Sequence, residues 1–130
     1  MSDRKKLMIV EDSMTQARAV AAHLSSGVDV VIAIDGLQAL RLVTVQQPDL
    51  IILDVNLPKL NGIQVCRRLK RDADTASIPI IMLTAARNEE QMEEGLMAGA
   101  NHYIHKGQHA TEELLNLMRL YGVVDEYIIP

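Results

Sequence analysis

The chain has 130 residues, 48% of them hydrophobic, and a net charge of −4 from 17 acidic and 13 basic residues. That is enough sequence for one domain with a real core, and the acidic balance excludes the clustered positive charge of a nucleic-acid surface. Aromatic residues are limited to Tyr103, Tyr121 and Tyr127, so the core has to be built from aliphatic side chains and Met.

After Met1, residues 2–6 are polar and lead into only four apolar residues, too short a run for a signal peptide. No apolar run is long enough to span a bilayer, and the single Cys66 cannot form an internal disulfide. A cytoplasmic protein without membrane insertion is therefore expected. Leu7 to Val10 reads as a first strand, and Ser13 as the N-cap of a helix. That helix places Ala17, Val20, Ala21 and Leu24 along one stripe and ends at Ser25-Ser26-Gly27. Val28 to Ile34 is the second strand. Asp35-Gly36 opens a helix carrying Leu37, Leu40 and Val43, and Pro48 stops it.

Leu50 to Leu53 is a run of four aliphatics, the pattern of a strand buried on both faces of a parallel sheet. Asp54 follows it directly, then a turn from Pro58 to Gly62. Ile63, Cys66 and Leu69 mark a third helix, and Ile80 to Leu83 a fourth strand. Met92 and Leu96 mark a helix closed by Gly99. His102 to His105 is a short fifth strand, and Leu114, Leu117, Met118 and Tyr121 line a last helix. Residues 123–130, with apolar Tyr127-Ile128-Ile129, read as a tail that packs on the domain or begins a linker. A contact surface for another chain is the sharper alternative.

Five β–α units in succession predict an α/β, doubly wound three-layer sandwich with a parallel sheet. Ligand sites in such sheets lie at the carboxyl ends of the strands. Asp54 stands at one such end and Glu11-Asp12 at another. In a flavodoxin-like order 2-1-3-4-5 the first and third strands are neighbours at the topological switch point, so three carboxylates share one edge. Like charges so close are unfavourable without a cation, and an all-oxygen set suits Mg²⁺. Taken alone, Glu11 and Asp12 are better explained as negative charge at a helix N-terminus; with Asp54 at its own strand end the metal reading is favoured. Thr84 and Lys106 end the fourth and fifth strands, where a hydroxyl and an ammonium can meet anionic oxygens.

The motifs Ile9-Val10-Glu11-Asp12-Ser13, Asp54-Val55-Asn56-Leu57-Pro58 with Asn61-Gly62, Leu83-Thr84-Ala85, and Gly99-Ala100 leading to Tyr103 and Lys106 occur in order. On them the sequence resembles the receiver domain of two-component response regulators, over about residues 5–121. The resemblance supplies the strand order and implies a receiver domain at residues 1–122. It implies Asp54 as phosphoacceptor, charged by a sensor histidine kinase or a histidine phosphotransfer protein. Mg²⁺, with Mn²⁺ as a substitute, would be held by Asp12, Asp54 and the Asn56 backbone carbonyl, with Glu11 acting through water. Thr84 and Lys106 would meet phosphoryl oxygens, and Thr84 and Tyr103 would form the switch. The readout face would be the fourth helix, fifth strand and last helix, roughly Arg87 to Tyr121, meeting a downstream effector, an output domain or a second copy as a homodimer. The protein would be a signalling switch rather than an enzyme, its chemistry confined to its own phosphorylation and dephosphorylation.

Two departures stand out. The family usually places a cis-linked Pro after the Lys, and here the residue is Gly107. A cis bond to a non-proline residue costs about 2.5–4 kcal/mol, so a trans bond with unusual glycine dihedrals and an altered, more mobile 106–110 loop are expected. Leu57 stands where the family often has Met, a volume-conserving change. Ala86 and Asn56 occupy positions that influence phosphoryl hydrolysis in the family. His102, His105 and His109 surround the loop, but spacings of three and four converge on a metal only in a helix. A haloacid-dehalogenase phosphatase would need an acid where Asn56 stands. A flavin-binding flavodoxin would need a phosphate loop where Glu11-Asp12 would repel one. A pseudo-receiver serving only as an interaction module is the alternative reading, although such proteins usually lose acidic or Lys positions that are all present here.

Overall fold

Alternation of apolar strand residues dictates two cores, one on each face of a sheet. The computed structural model describes residues 4–24, 27–85 and 89–124. Its strands are β1 (Lys5–Val10), β2 (Val28–Ala33), β3 (Leu50–Leu53), β4 (Ile80–Thr84) and β5 (His102–His105), all parallel in the order β2-β1-β3-β4-β5. Between and after them run α1 (Met14–Ala21), α2 (Gly36–Gln46), α3 (Gly62–Arg71), α4 (Glu89–Met97) and α5 (Ala110–Leu120). This is the doubly wound, flavodoxin-like arrangement that was expected. Every residue of β3 and β4 is buried. Met8, Val10, Ile51, Leu53 and Met82 face Val43, Cys66 and Leu69 on one side. Leu7, Ile9, Ile52 and Leu83 face Ala17, Leu114 and Met118 on the other.

Local signals place the helix ends. Ser13, Asp35 and Asn61 each accept a hydrogen bond from the backbone N–H three residues on, and Asn61 with Gln64 forms a full capping box. Gly99 takes φ 109°, and the N–H groups of Gly99 and Ala100 donate to the carbonyls of Leu96 and Gly95. That is a Schellman closure of α4, as the glycine predicted. After α5, Gly122 (φ 77°) turns the chain back in the same manner. Val123 and Val124 are thereby buried against the α5 face of the core.

The boundaries differ in small ways. β2 stops before Ile34, whose N–H is taken by the Gln38 side chain at 2.7 Å rather than by a strand. β4 does end at Thr84, in keeping with the reading of that residue as a strand end. Leu37 and Leu96, expected on buried stripes, are 51% and 46% exposed. The buried face of α2 is carried by Ala39 and Val43, and the closest approach of α4 to the sheet is at Gly95. Small residues let a helix sit closer, and that rotates the larger ones outward. The expectations for Ser25-Ser26, Ala86, Arg87 and Tyr127-Ile128-Ile129 lie outside the described residues.

Cys66 is fully buried on α3, and burial, opposed by the charges of Lys70 and Arg67, pushes its thiol up from 9.0 to about 11. The native state therefore holds this proton more tightly than the unfolded chain. Its contribution is intact below pH 9 and is lost as pH rises from 9 towards 11. Urea unfolding of wild type and Cys66→Ala across that window should show an extra decline in the wild type of up to about 2–3 kcal/mol. Parallel pH profiles for the two proteins would refute it.

Candidate functional site

The carboxyl edge of the sheet gathers the polar residues that end its strands. The Glu11 N–H donates to Ala33 O at 2.9 Å and the Asp54 N–H to Val10 O at 3.0 Å, so the hydrogen-bond ladder continues just past β1 and β3. Glu11 and Asp54 thus become lateral neighbours. Ligand oxygens of Glu11, Asp12 and Asp54 lie within 4.8 Å of one another. Glu11 and Asp54 are only 6% and 7% exposed, while Asp12 faces solvent. Three carboxylates with no sulfur or imidazole among them fit a hard divalent cation such as Mg²⁺ or Mn²⁺.

Asn56 braces the cluster from β3's far side. Its backbone N–H donates to Asp54 Oδ1 at 3.0 Å, and its side-chain amide donates to Thr84 Oγ1 at 3.3 Å. Thr84 is fully buried, and its carbonyl accepts the Lys106 N–H at 2.7 Å. The Lys106 ammonium donates to Glu11 Oε1 at 2.8 Å, to Asp54 Oδ2 at 3.2 Å and to Gln16 Oε1. Burial works to lower the Lys106 pKa, but the Glu11 hydrogen bond and the charges of Asp54 and Glu11 outweigh it, and the net shift is upward. The ammonium is the built-in counter-charge of the cluster. Glu11 turns its other oxygen to the Ser13 N–H at 3.2 Å.

Two glycines let the loops close over this edge. A Cβ on Gly62 would lie 2.1 Å from the Asp54 carbonyl oxygen, and one on Gly36 would lie 2.0 Å from that of Leu60. The expected Pro58 to Gly62 turn is present, with Lys59 at φ 69° and the Leu60 N–H donating to Pro58 O at 2.8 Å. A groove of ≈ 320 Å³ runs beside Asp54 between α1 and α5, floored by Ile9, Ile52 and Met118, with Gln16, Lys106 and Gly107 at one end.

Residues 7–119 match the family model of the response regulator receiver domain. The chain belongs to that family. It is 39% identical over 121 residues to the DNA-binding dual master transcriptional regulator RpaA of Synechocystis sp., a match covering 92% of this chain and 50% of that protein. The chain spans about half the length of the curated relatives it matches. The crystal structure of the phosphorylated cyanobacterial phytochrome response regulator RcpA superposes with a TM-score of 0.79 at 28% identity, covering 90% of this chain and 91% of that one. The receiver domain of the sensor histidine kinase PA1611 from Pseudomonas aeruginosa PAO1, with a magnesium ion coordinated in its active site cleft, superposes with a TM-score of 0.78 at 32% identity, covering 92% and 98%. Phosphorylation-dependent signalling, rather than the turnover of a substrate, is the work of this family. Among the described residues no helix is long and apolar enough to cross a membrane.

In this receiver domain the Lys106–Gly107 bond is trans, since the described residues contain no cis peptide bond. The left-handed glycines among them are Gly99 and Gly122, so Gly107 joins β5 to α5 without a positive φ. Tyr103 packs its ring against Gly95 and, edge-on at 5.5 Å, against His105. Its hydroxyl is buried with no hydrogen-bond partner among the described residues. Burial, and then the charge of Asp54, raises its pKa. Strand alternation sends His102 to the opposite face, where Nε2 meets the Tyr121 hydroxyl at 2.8 Å. His109 is the N-cap residue of α5, so the three histidines stand in three different settings.

Sequence reasoning missed Gln16. Its place three residues past an N-cap says only that it lies on the first helical turn; its contact with Lys106 crosses 90 positions of the chain. Lys106 itself is the better-signalled partner, and its removal should be felt without any phosphoryl chemistry. Lys106→Met leaves two buried carboxylates beside Asp12 uncompensated, and should cost about 1–3 kcal/mol in metal-free urea unfolding. Saturating Mg²⁺ should recover part of that loss. Equal stability with and without the lysine would show that the carboxylates do not depend on it.

Proposed function

We propose that this receiver domain accepts a phosphoryl group on Asp54 from a phosphohistidine of a sensor histidine kinase or a histidine phosphotransfer protein. The observation that carries the reading is Asp54 itself, buried at a strand end with Glu11 and Asp12 beside it and the Lys106 ammonium at 3.2 Å. An Asp54 carboxylate oxygen attacks phosphorus; its O–P bond forms as the P–N bond to imidazole breaks. Phosphoryl transfer asks the protein for positioning and charge compensation rather than covalent help. Lys106 exchanges its bond to Asp54 Oδ2 for one to a phosphoryl oxygen. Thr84 Oγ1 turns from the Asn56 amide to donate to a second oxygen. Asp12, Asp54 and the Asn56 carbonyl would hold Mg²⁺ or Mn²⁺, with Glu11 acting through water. Such an ion supplies compensation for the negative charge of the phosphoryl oxygens and the nucleophile.

The product carries more charge and three strong acceptors, and Thr84 and Tyr103 convey the change to α4, β5 and α5. That face presents Leu96, Met97 and Leu120 to solvent, apolar surface suited to a downstream effector, an output domain or a second copy. We read residues 1–122 as the receiver unit, working in the cytoplasm, and 123–130 as a tail or the start of a linker, anchored by Val123 and Val124.

Incubation with acetyl phosphate and Mg²⁺ should add one phosphoryl group to the peptide containing Asp54, detected by mass spectrometry, and none when the metal is chelated. A wild-type protein that takes no label would overturn the reading and favour a pseudo-receiver acting as an interaction module.

A further inference from the structure

An ammonium has three protons to place, and Lys106 finds three acceptors: Glu11 Oε1, Asp54 Oδ2 and Gln16 Oε1. The first two belong to the carboxylate cluster. Gln16 is different, being neutral, exposed and carried by α1 on the other side of the groove. We propose that Gln16 is a positioning residue, holding the Lys106 ammonium over Asp54 from α1.

Several features make the anchor necessary and the residue type apt. The connection from β5 to α5 begins at Gly107, which lacks a side chain and has wide backbone freedom. Residues 107–109 are exposed, and α5 starts without a side-chain cap. The loop therefore fixes Lys106 chiefly through its backbone bond to Thr84, leaving a long side chain with much rotamer entropy to be ordered at its head. Gln16, by contrast, is rigidly based. Its N–H is capped by Ser13 Oγ at 3.3 Å, and Ser13 is tied back to Glu11. An amide oxygen also anchors the ammonium without adding a fourth negative charge. Lys106 can then release Asp54 Oδ2 for a phosphoryl oxygen while Gln16 keeps it in place. A carboxylate at this position would compete with the phosphoryl group for the same ammonium.

The inference rests on Asp54 being the phosphoacceptor, and the test separates the two. Gln16→Met keeps length and helix propensity but removes the acceptor. With acetyl phosphate and saturating Mg²⁺ it should slow Asp54 labelling about three- to tenfold, with an unchanged unfolding midpoint. In a Lys106→Met background the same substitution should have no further effect, whereas a merely structural role would slow both backgrounds alike. A metal-free readout is the ¹H–¹⁵N NMR signal of the Lys106 ammonium, expected to be protected from exchange in wild type and lost in Gln16→Met. If wild type labels at Asp54 while Gln16→Met labels as fast and keeps that signal, this inference is overturned and the phosphoacceptor reading stands. If wild type does not label, that reading falls, and the NMR comparison alone decides whether Gln16 holds the lysine.

Discussion

Asp54→Asn is expected to abolish labelling by acetyl phosphate and to weaken Mg²⁺ binding by more than tenfold, in a protein that still folds. Asparagine matches aspartate in shape, and its Oδ1 can still accept the Asn56 N–H that Asp54 accepts at 3.0 Å. What it loses is the charge and the nucleophilic oxygen facing Lys106. Removing that charge costs the attraction to Lys106 but relieves repulsion from Glu11 and Asp12. These opposed terms should leave stability within about 1 kcal/mol of wild type. Intact-mass measurement after labelling, calorimetric Mg²⁺ titration and urea unfolding check the three parts. Persistent labelling of the variant would move the acceptor to another carboxylate, with Asp12 the first to test.

Gly62→Ala should be severe for so small a substitution, lowering stability by about 3 kcal/mol or more and impairing Asp54 labelling with it. The new Cβ would sit 2.1 Å from the Asp54 carbonyl oxygen and 2.8 Å from Val55 Cα. Those are backbone atoms of the β3 exit, so they cannot rotate away; α3 or the end of β3 must shift. Gly95 is the instructive contrast. Its nearest obstacle is the Met82 sulfur at 2.8 Å, the end of a flexible side chain, and alanine there gains about 1 kcal/mol of helix propensity. An unfolding midpoint for Gly62→Ala equal to wild type would show that the close approach at Asp54 O is not a constraint.

Much of the site was legible because its residues advertise themselves locally. Glu11-Asp12, Asp54 and Thr84 follow apolar runs and Lys106 follows the short fifth strand, and strand ends are where parallel sheets present their chemistry. Ser13, Asp35 and Asn61 were equally readable as caps or turn residues, since a cap bond spans only three positions. Leu37 and Leu96 misled because helical spacing identifies a stripe without saying which stripe a neighbouring sheet will meet. The depth at which α4 lies was decided by Gly95 against Tyr103 and Met82, a long-range fit invisible to periodicity.

The sequence by itself determined the alternating βα pattern, the two-sided burial of β3, the helix caps and the acidic, hydroxyl and ammonium groups at the strand ends. All of these follow from the spacing of residues within a few positions of one another. Only the tertiary structure decided which acceptors share the Lys106 ammonium, that Gln16 is one of them, and that Gly62 must lack a side chain for α3 to start against Asp54. Those outcomes depend on atoms brought within a few ångströms from distant parts of the chain, and linear spacing carries no information about that reach.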